Sequence, residues 1–410
     1  MNLLTRAFKQ LSGAVCLTFS TVSLTLAMSA TPTVQADSIT NFQNSWAGKA
    51  MAHQRQLDRH SPLIHNNIQG THNSYNSEAY RDADSYIDPQ QKVSIYDQLR
   101  LGARFIELDV HWSTYADGWP WNWRQQLLLC HGTQTNGYDI GCGLTDRKLT
   151  SGMDEVKRWL NENPNEVLIL YIEDYSEGHH KDLYNQINDR IGSKIYSSGG
   201  CVAIPDSLTK DQVLNAGKQV LLWKDKGCAN YGPLAGMAFS SLGNIKRIWE
   251  DATTNGWIAG LFNGGVDRLS TGEIREAYAT GANIINLDDM AVNDARLIAG
   301  IWSWGENEPN NVNNEDCAHM RSDGRWNDNQ CGNHYFYACQ SNQDNSWAIS
   351  TYTGPWTDGQ QACDVLGDYR FAVPTNSLQN ERLKDAKGGI DSVWLNYHDR
   401  TNEGQWQTLP

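Results

Sequence analysis

Between residues 60 and 300, short apolar runs alternate with amphipathic stretches along the chain. The runs RFIELDV, QLLLCH, VLILYIE, QVLLWK, GWIAGLF and NIINLD are strand-length and apolar enough to be buried on both faces. Segments such as SGMDEVKRWLNENP between them carry a helical period. Six such runs, with no GxGxxG after the first, predict an α/β fold of the closed (β/α) TIM-type barrel class rather than a dinucleotide-binding sheet. One stretch breaks the rhythm: IQGTHNSYNSEAY, residues 68 to 80, is too polar for a strand and too turn-prone for a helix. Beyond residue 300 the alternation stops and the chain becomes rich in Trp, Asn, Gly and Cys, which predicts a second, smaller domain.

The N-terminus changes the picture. Arg6 and Lys9 precede a mostly apolar stretch from Leu11 to Ala30 that ends in small residues, the pattern of a secretory signal peptide with cleavage after Val34-Gln35-Ala36. Val15 occupies the position before Cys16 where a lipoprotein signal wants Gly or Ala. The expected organisation is therefore a signal over 1–36, a barrel over 37–300 and a second domain over 301–410, in a secreted or periplasmic protein. Loss of the signal removes Arg6 and Lys9 and no carboxylate, so the formal net charge moves from −14 to −16. That acidity excludes a nucleic-acid partner on charge grounds. It is compatible with calcium binding and equally with plain solubility. Of nine cysteines, Cys16 leaves with the signal, and the eight that remain predict four disulfides in an oxidising compartment. No Cys/His grouping has zinc spacing.

Polar residues gather where the apolar runs finish: Glu107 and Asp109, His131, Glu173, Lys224 and Asp288. In a (β/α) barrel those ends form the active-site face. Glu107 and Asp109, two apart, point to one side of a strand, and like charges so close require a cation or a shared proton. With Asn73 and Glu173 the donors are all oxygen, which suits calcium or magnesium. His72 and His131 are imidazoles able to move a proton near neutral pH. The residues alone leave a second reading open, in which Arg104 and Lys224 neutralise the carboxylates and the histidines are ordinary rim residues. Arg104, Lys224 and Lys226 are also the cations available to a substrate phosphate. Trp119, Trp121 and Trp123 in DGWPWNW form either a rim that touches a membrane surface or a half-buried hairpin.

GTHNSY at 70–75, LGARFIELDVHW at 101–112, LLLCHGT at 127–133 and LILYIED at 168–174 resemble, in order, four motifs of the X region of phosphoinositide-specific phospholipase C. The likeness covers residues 60 to 300. It implies His72 and His131 as catalytic histidines, and Asn73, Glu107, Asp109 and Glu173 as calcium ligands. Metal-independent bacterial members carry Asp after the first histidine and Arg where Asp109 stands, so the resemblance is to the calcium-dependent style. The implied reaction cleaves the phosphodiester of a lipid headgroup, phosphatidylinositol-like, with calcium lowering the pKa of the attacking hydroxyl. The glycerophosphodiester phosphodiesterases share a strand like GARFIELD but want His-Arg-Gly near the start, which GTHNSY does not supply, so an enzyme of that kind stands as the alternative reading.

WSWGENEPNNVNNEDCAHMRSDGRWNDNQCGNHYFYAC, residues 302–339, resembles the calcium-binding half of a C-type lectin domain, an α+β fold. By that resemblance Glu308, Asn310, Glu315, Asn327 and Asp328 coordinate calcium and, through it, a mannose-type glycan. Residues 356–406 resemble the half that should precede it, which reads as a circular permutation; the alternative is a truncated repeat. The lectin pattern implies Cys339–Cys363 and Cys317–Cys331, and leaves Cys130–Cys142 and Cys201–Cys228 for the barrel. A catalytically inactive, lectin-type binding protein is the competing class of function.

Overall fold

The structure is a computed structural model, and it describes residues 31–80, 89–116, 122–135, 138–250 and 268–409. Most of the expected signal peptide, Trp119, Trp121 and the GWIAGLF run lie outside the described residues. No helix among the described residues is long and apolar enough to cross a membrane.

Two helices, α1 (Thr31–Asn44) and α2 (Trp46–Leu57), lead into β1 (Ile68–Thr71). Then follow α3 (Ile95–Arg100), β2 (Phe105–Ala116), β3 (Trp123–Leu129), a small ribbon of β4 (Thr133–Thr135) and β5 (Tyr138–Ile140), β6 (Arg147–Lys148) and α4 (Leu149–Glu162). The βα rhythm continues with β7 (Leu168–Tyr175), α5 (His180–Ile191), α6 (Lys210–Asn215), β8 (Val220–Lys224), α7 (Gly232–Met237), β9 (Arg247–Trp249), α8 (Thr271–Ala279), β10 (Ile284–Leu287) and α9 (Ala295–Ala299). Among the described residues six strands run parallel in the order β9-β10-β1-β2-β7-β8.

Strand alternation sorts the side chains into an interior and an exterior. Ile68, Phe105, Ile169, Tyr171, Leu221 and Ile284, from five strands, pack into one apolar cluster. Their out-of-phase neighbours Ile106, Leu108, Leu170, Ile172 and Leu222 belong to another, which includes Val156, Leu160 and Leu183 of the helices. Following the interior parity up each strand gives Ile68, Gly70, His72; Phe105, Glu107, Asp109; Ile169, Tyr171, Glu173; and Ile284, Asn286, Asp288. Each column starts apolar and ends polar at its C-terminal end, which is how a barrel presents chemistry on one face.

Two expectations need correction. Ile68–Thr71, part of the run judged too polar for a strand, is β1: Ile68 and Gly70 face an already apolar interior, and a Cβ on Gly70 would lie 2.7 Å from Phe105 Cβ. QLLLCH is not a parallel barrel strand. Its residues 126–129 lie in β3, which folds back antiparallel on β2 from Val110↔Leu129 to Ala116↔Trp123; of the tryptophan run only Trp123 is among the described residues, and it is exposed.

The C-terminal region builds a second sheet from β11 (Cys317–Met320), β12 (Trp326–Asn329), β13 (Phe336–Ser341), β14 (Trp347–Ile349), β15 (Tyr369–Phe371) and β16 (Val393–His398), with α10 (Gly359–Asp364) and α11 (Ser377–Lys387). The order is β12-β11-β16-β13-β14, with β15 on β13, so the last strand in sequence sits at the centre. Cys130–Cys142, Cys201–Cys228, Cys317–Cys331 and Cys339–Cys363 are all bonded, the four pairs that the lectin pattern and its remainder imply.

Candidate functional site

The site forms where β1 ends. Asn73 has φ 43°, a left-handed conformation that Asn tolerates better than most residues. The turn is tied by Ser74, whose Oγ lies 2.7 Å from Thr71 Oγ1 and accepts from the Glu107 backbone N–H at 2.9 Å. Gln91 donates to the carbonyls of His72 and Leu287 at 2.7 and 2.9 Å. The turn thereby holds His72 over the β10 end, its Nδ1 3.1 Å from Asp288 Oδ1. Burial pulls the His72 pKa down, but Glu107 and Asp288 outweigh it, and the ring ends up above its ordinary value. Asp288 is fixed from behind: its N–H donates to Glu250 at 2.7 Å, its carbonyl accepts from Arg296 at 2.8 Å, and Arg296 also clasps both Glu250 oxygens.

Glu107, Asp109 and Glu173 bring carboxylate oxygens within 4.8 Å of one another, Asp109 lying directly opposite Glu173 across β2 and β7. Burial first, then Glu173 and Glu107, holds the Asp109 carboxyl well above the usual carboxylate range. Tyr75 donates to Asp109 at 2.9 Å, and Tyr175 to Glu173 at 2.7 Å. The Asn73 amide lies 3.1 to 3.2 Å from both Asp109 oxygens. Turned one way its nitrogen donates to them; turned the other its oxygen joins theirs, and four oxygen donors converge. This set fits a hard divalent cation, since three carboxylates and an amide oxygen are what calcium takes.

A cation of the protein's own stands beside it. Arg247 of β9 donates to Glu107 Oε2 at 2.5 Å, and its guanidinium lies over the rings of Phe105, Tyr171, Trp249 and Trp223, 4.9 to 5.9 Å from their centres. Asn286 reaches the same Glu107 oxygen at 3.4 Å. Sequence reasoning missed both, and gave Asp288 a place at a strand end but no role. β9 is too short to announce itself as an apolar run. Interior parity with Ile284 does mark Asn286 and Asp288.

The remaining expected residues divide. His131 is half-buried, two positions beyond β3; the antiparallel register with β2 returns the chain there to the level of Glu107 and Asp109, and Cys130–Cys142 closes the loop that follows. Lys226 is exposed on the rim, its ammonium 3.1 Å from the centre of the Tyr175 ring, whose other neighbour is the stacked imidazole of His111. Two assignments fail. Lys224 is 1% exposed and its ammonium is spent on Asp174 at 2.5 Å and on two carbonyls, because it has the exterior parity of Leu222. The interior residue at that strand end is Asp225, raised to about 6 by burial. Arg104 precedes β2 at its N-terminal end, far along the strand from Asp109, where it forks onto both Glu166 oxygens at 2.9 Å and covers Trp159.

Asp328 on β12 acts electrostatically on Glu308 and Glu315, two carboxylates of the segment that leads into β11. Glu308 Oε2 is buried with no hydrogen-bond partner, and burial together with Asp328 pushes Glu308 up to about 7. Asp328 accepts from the backbone N–H groups of Asn310 and Asn311 at 3.1 and 2.7 Å. The Asn310 and Asn327 side chains hydrogen-bond to neighbouring backbone, to Val312 N–H and Asp328 O respectively.

Residues 25–240 match the model of the Rv2075c PI-PLC-like domain, and residues 280–341 that of the lectin C-type domain. A similar protein is the uncharacterized protein Rv2075c of Mycobacterium tuberculosis, 24% identical over 402 residues that cover 87% of this chain and 80% of that one. The alpha-N-acetylgalactosamine-specific lectin of Patiria pectinifera is 32% identical over 119 residues, covering 28% of this chain and 60% of the lectin. Among solved structures, the phosphatidylinositol-specific phospholipase C of Listeria monocytogenes covers 59% of this chain and 95% of its own at 14% identity, with a TM-score of 0.37.

Proposed function

Because the chain belongs to the Rv2075c PI-PLC-like family, we infer that it is a calcium-dependent phosphodiesterase that cleaves a headgroup phosphodiester of a phosphatidylinositol-like lipid. The observation that carries this reading is the convergence of His72, braced by Asp288, with three interior carboxylates at the C-terminal ends of the strands. Asn73, Glu107, Asp109 and Glu173 would hold the cation, which when bound would supply charge neutralisation at the phosphate and a lower pKa for a neighbouring hydroxyl. With Nδ1–H given to Asp288, the other nitrogen of neutral His72 accepts the proton of the attacking hydroxyl, and His131 protonates the leaving alkoxide. Lys226 meets the phosphate or headgroup from the rim.

The rest of the reading concerns the whole chain: an exported protein, a barrel over 37–300, and a permuted lectin-type domain over 301–410 that binds calcium and a glycan. The permuted arrangement draws support from β16, which lies between β11 and β13 although it comes last, and from the apolar cluster that joins Cys317, Cys339, Cys363 and Trp394. The test is headgroup release from a panel of phosphodiesters including phosphatidylinositol, with calcium and with chelator. Release that needs calcium and disappears in Asp109→Asn is expected; full activity in chelator would remove the metal from the mechanism, and no release from any diester would favour an inactive binding protein.

A further inference from the structure

Arg247 sits against a proposed cation ligand without being one, and nothing in the motifs of the sequence accounts for it. Its guanidinium is held by geometry from two sides. Glu107 Oε2 accepts from it at 2.5 Å, and four aromatic rings surround it: Phe105 and Tyr171 from the barrel interior, Trp223 from β8, Trp249 from its own strand. The aromatic faces favour a cation and leave it little room to swing away. Glu107 is 4% exposed, so its charge has little recourse to water. Its Oε2 is engaged by Arg247 and Asn286, while the carboxylate as a whole remains within reach of Asp109 and Glu173.

We propose that Arg247 is a fixed internal counter-cation that shares Glu107 with the bound ion and sets the affinity and charge preference of the site. The proposal rests on the calcium reading above. Glu107, Asp109 and Glu173 ionised carry three negative charges, and Arg247 reduces the local sum to two. A divalent ion then balances the cluster, and binding is weaker than three bare carboxylates would give. Arg247 also keeps Glu107 paired when no ion is bound, so the cluster does not depend on calcium to fold.

The test is calorimetric titration of calcium into the full chain with the lectin-type site silenced by Asp328→Asn, so that heat reports the barrel alone. Arg247→Met removes the charge and keeps an apolar stem for the cage; calcium should bind at least about tenfold tighter, the scale of one nearby charge removed from a partly buried site. Arg247→Lys keeps the charge but loses the planar fit to the rings, so calcium should bind it less tightly than it binds Arg247→Met. Terbium should gain over calcium in Arg247→Met, since the local sum becomes three. Equal or weaker calcium binding in Arg247→Met overturns the proposal. Should that variant unfold without metal, the proposal requires calcium to restore it, and a chain still unfolded in calcium overturns it as well. If the parent shows no Asp109-dependent calcium heat while Arg247→Met does, Arg247 has the role assigned and calcium dependence of the parent is wrong; silence in both overturns both.

Discussion

His72 and Asp288 show how the proton chemistry of one ring is set by its neighbour. Their 3.1 Å contact orients the imidazole, and Glu250 and Arg296 hold the Asp288 backbone in place through its N–H and carbonyl. His72→Ala should lower turnover by about 100- to 10,000-fold, the ordinary contribution of a general base or acid. Asp288→Asn is the more discriminating change. It keeps the shape and removes one of the two carboxylates that raise the His72 pKa, so the ring loses its proton at a lower pH. A base must be unprotonated to act, and the acidic limb of the kcat/KM profile should therefore move toward lower pH while the maximum falls. A limb that stays in place would mean that another group titrates there.

Parity is what ties elements to function in the barrel, and it also measures how much of the site was legible in the chain. The Glu107/Asp109 pair and Glu173 could be read directly, because an apolar strand ending in alternate carboxylates has one geometric meaning. Lys224 was misread although the signal was present: VLLWKD places Leu221, Trp223 and Asp225 on one side and Leu222 with Lys224 on the other. Arg104 failed for a different reason: it stands at the N-terminal end of β2, opposite to the end where the columns turn polar. Arg247 carried no signal, since its role depends on four rings from four strands. β1 was misjudged because polarity was weighed without the cage that surrounds it, and Gly70 is the clearest part of that cage. A Cβ there would meet Phe105 Cβ at 2.7 Å, Phe105 O at 2.9 Å and Asn286 Oδ1 at 3.0 Å, two of them atoms with no rotamer to change. Gly70→Ala should cost about 1 to 3 kcal/mol through overpacking. It should also lower activity, because β1 carries His72; a denaturant midpoint equal to the parent's would show that the strands part easily.

Across the whole molecule, α2 does what neither sheet does alone. Its Met51 faces Gly102 beside the barrel floor, Arg55 pairs with Glu166, and Gln54 Oε1 accepts from the N–H groups of Trp302 and Ser303 at the entry to the second sheet. Between those contacts stands His53, ringed by Trp304, Tyr397 and Trp406 at 6.0 to 6.4 Å between ring centres. Its Nδ1 is buried without a hydrogen-bond partner, and burial, with Lys49 and Arg55 adding to it, lowers the pKa from 6.5 to about 4. Below about pH 6.5 the unfolded chain takes up a proton that the folded ring refuses. Stability from this group is therefore complete above that pH and is lost as the pH falls toward 4. His319, lowered to about 4 by burial, acts in the same direction, while the raised carboxylates Asp109 and Glu308 act in the opposite one, so the net profile of the parent is uninformative. The difference between the parent and His53→Phe isolates the effect, because Phe fills the ring's place and takes up no proton. Between about pH 7 and pH 5 the parent should lose about 2 kcal/mol more than the variant. Thermal unfolding at the two pH values measures it, and equal losses would mean that His53 already reaches water in the folded chain.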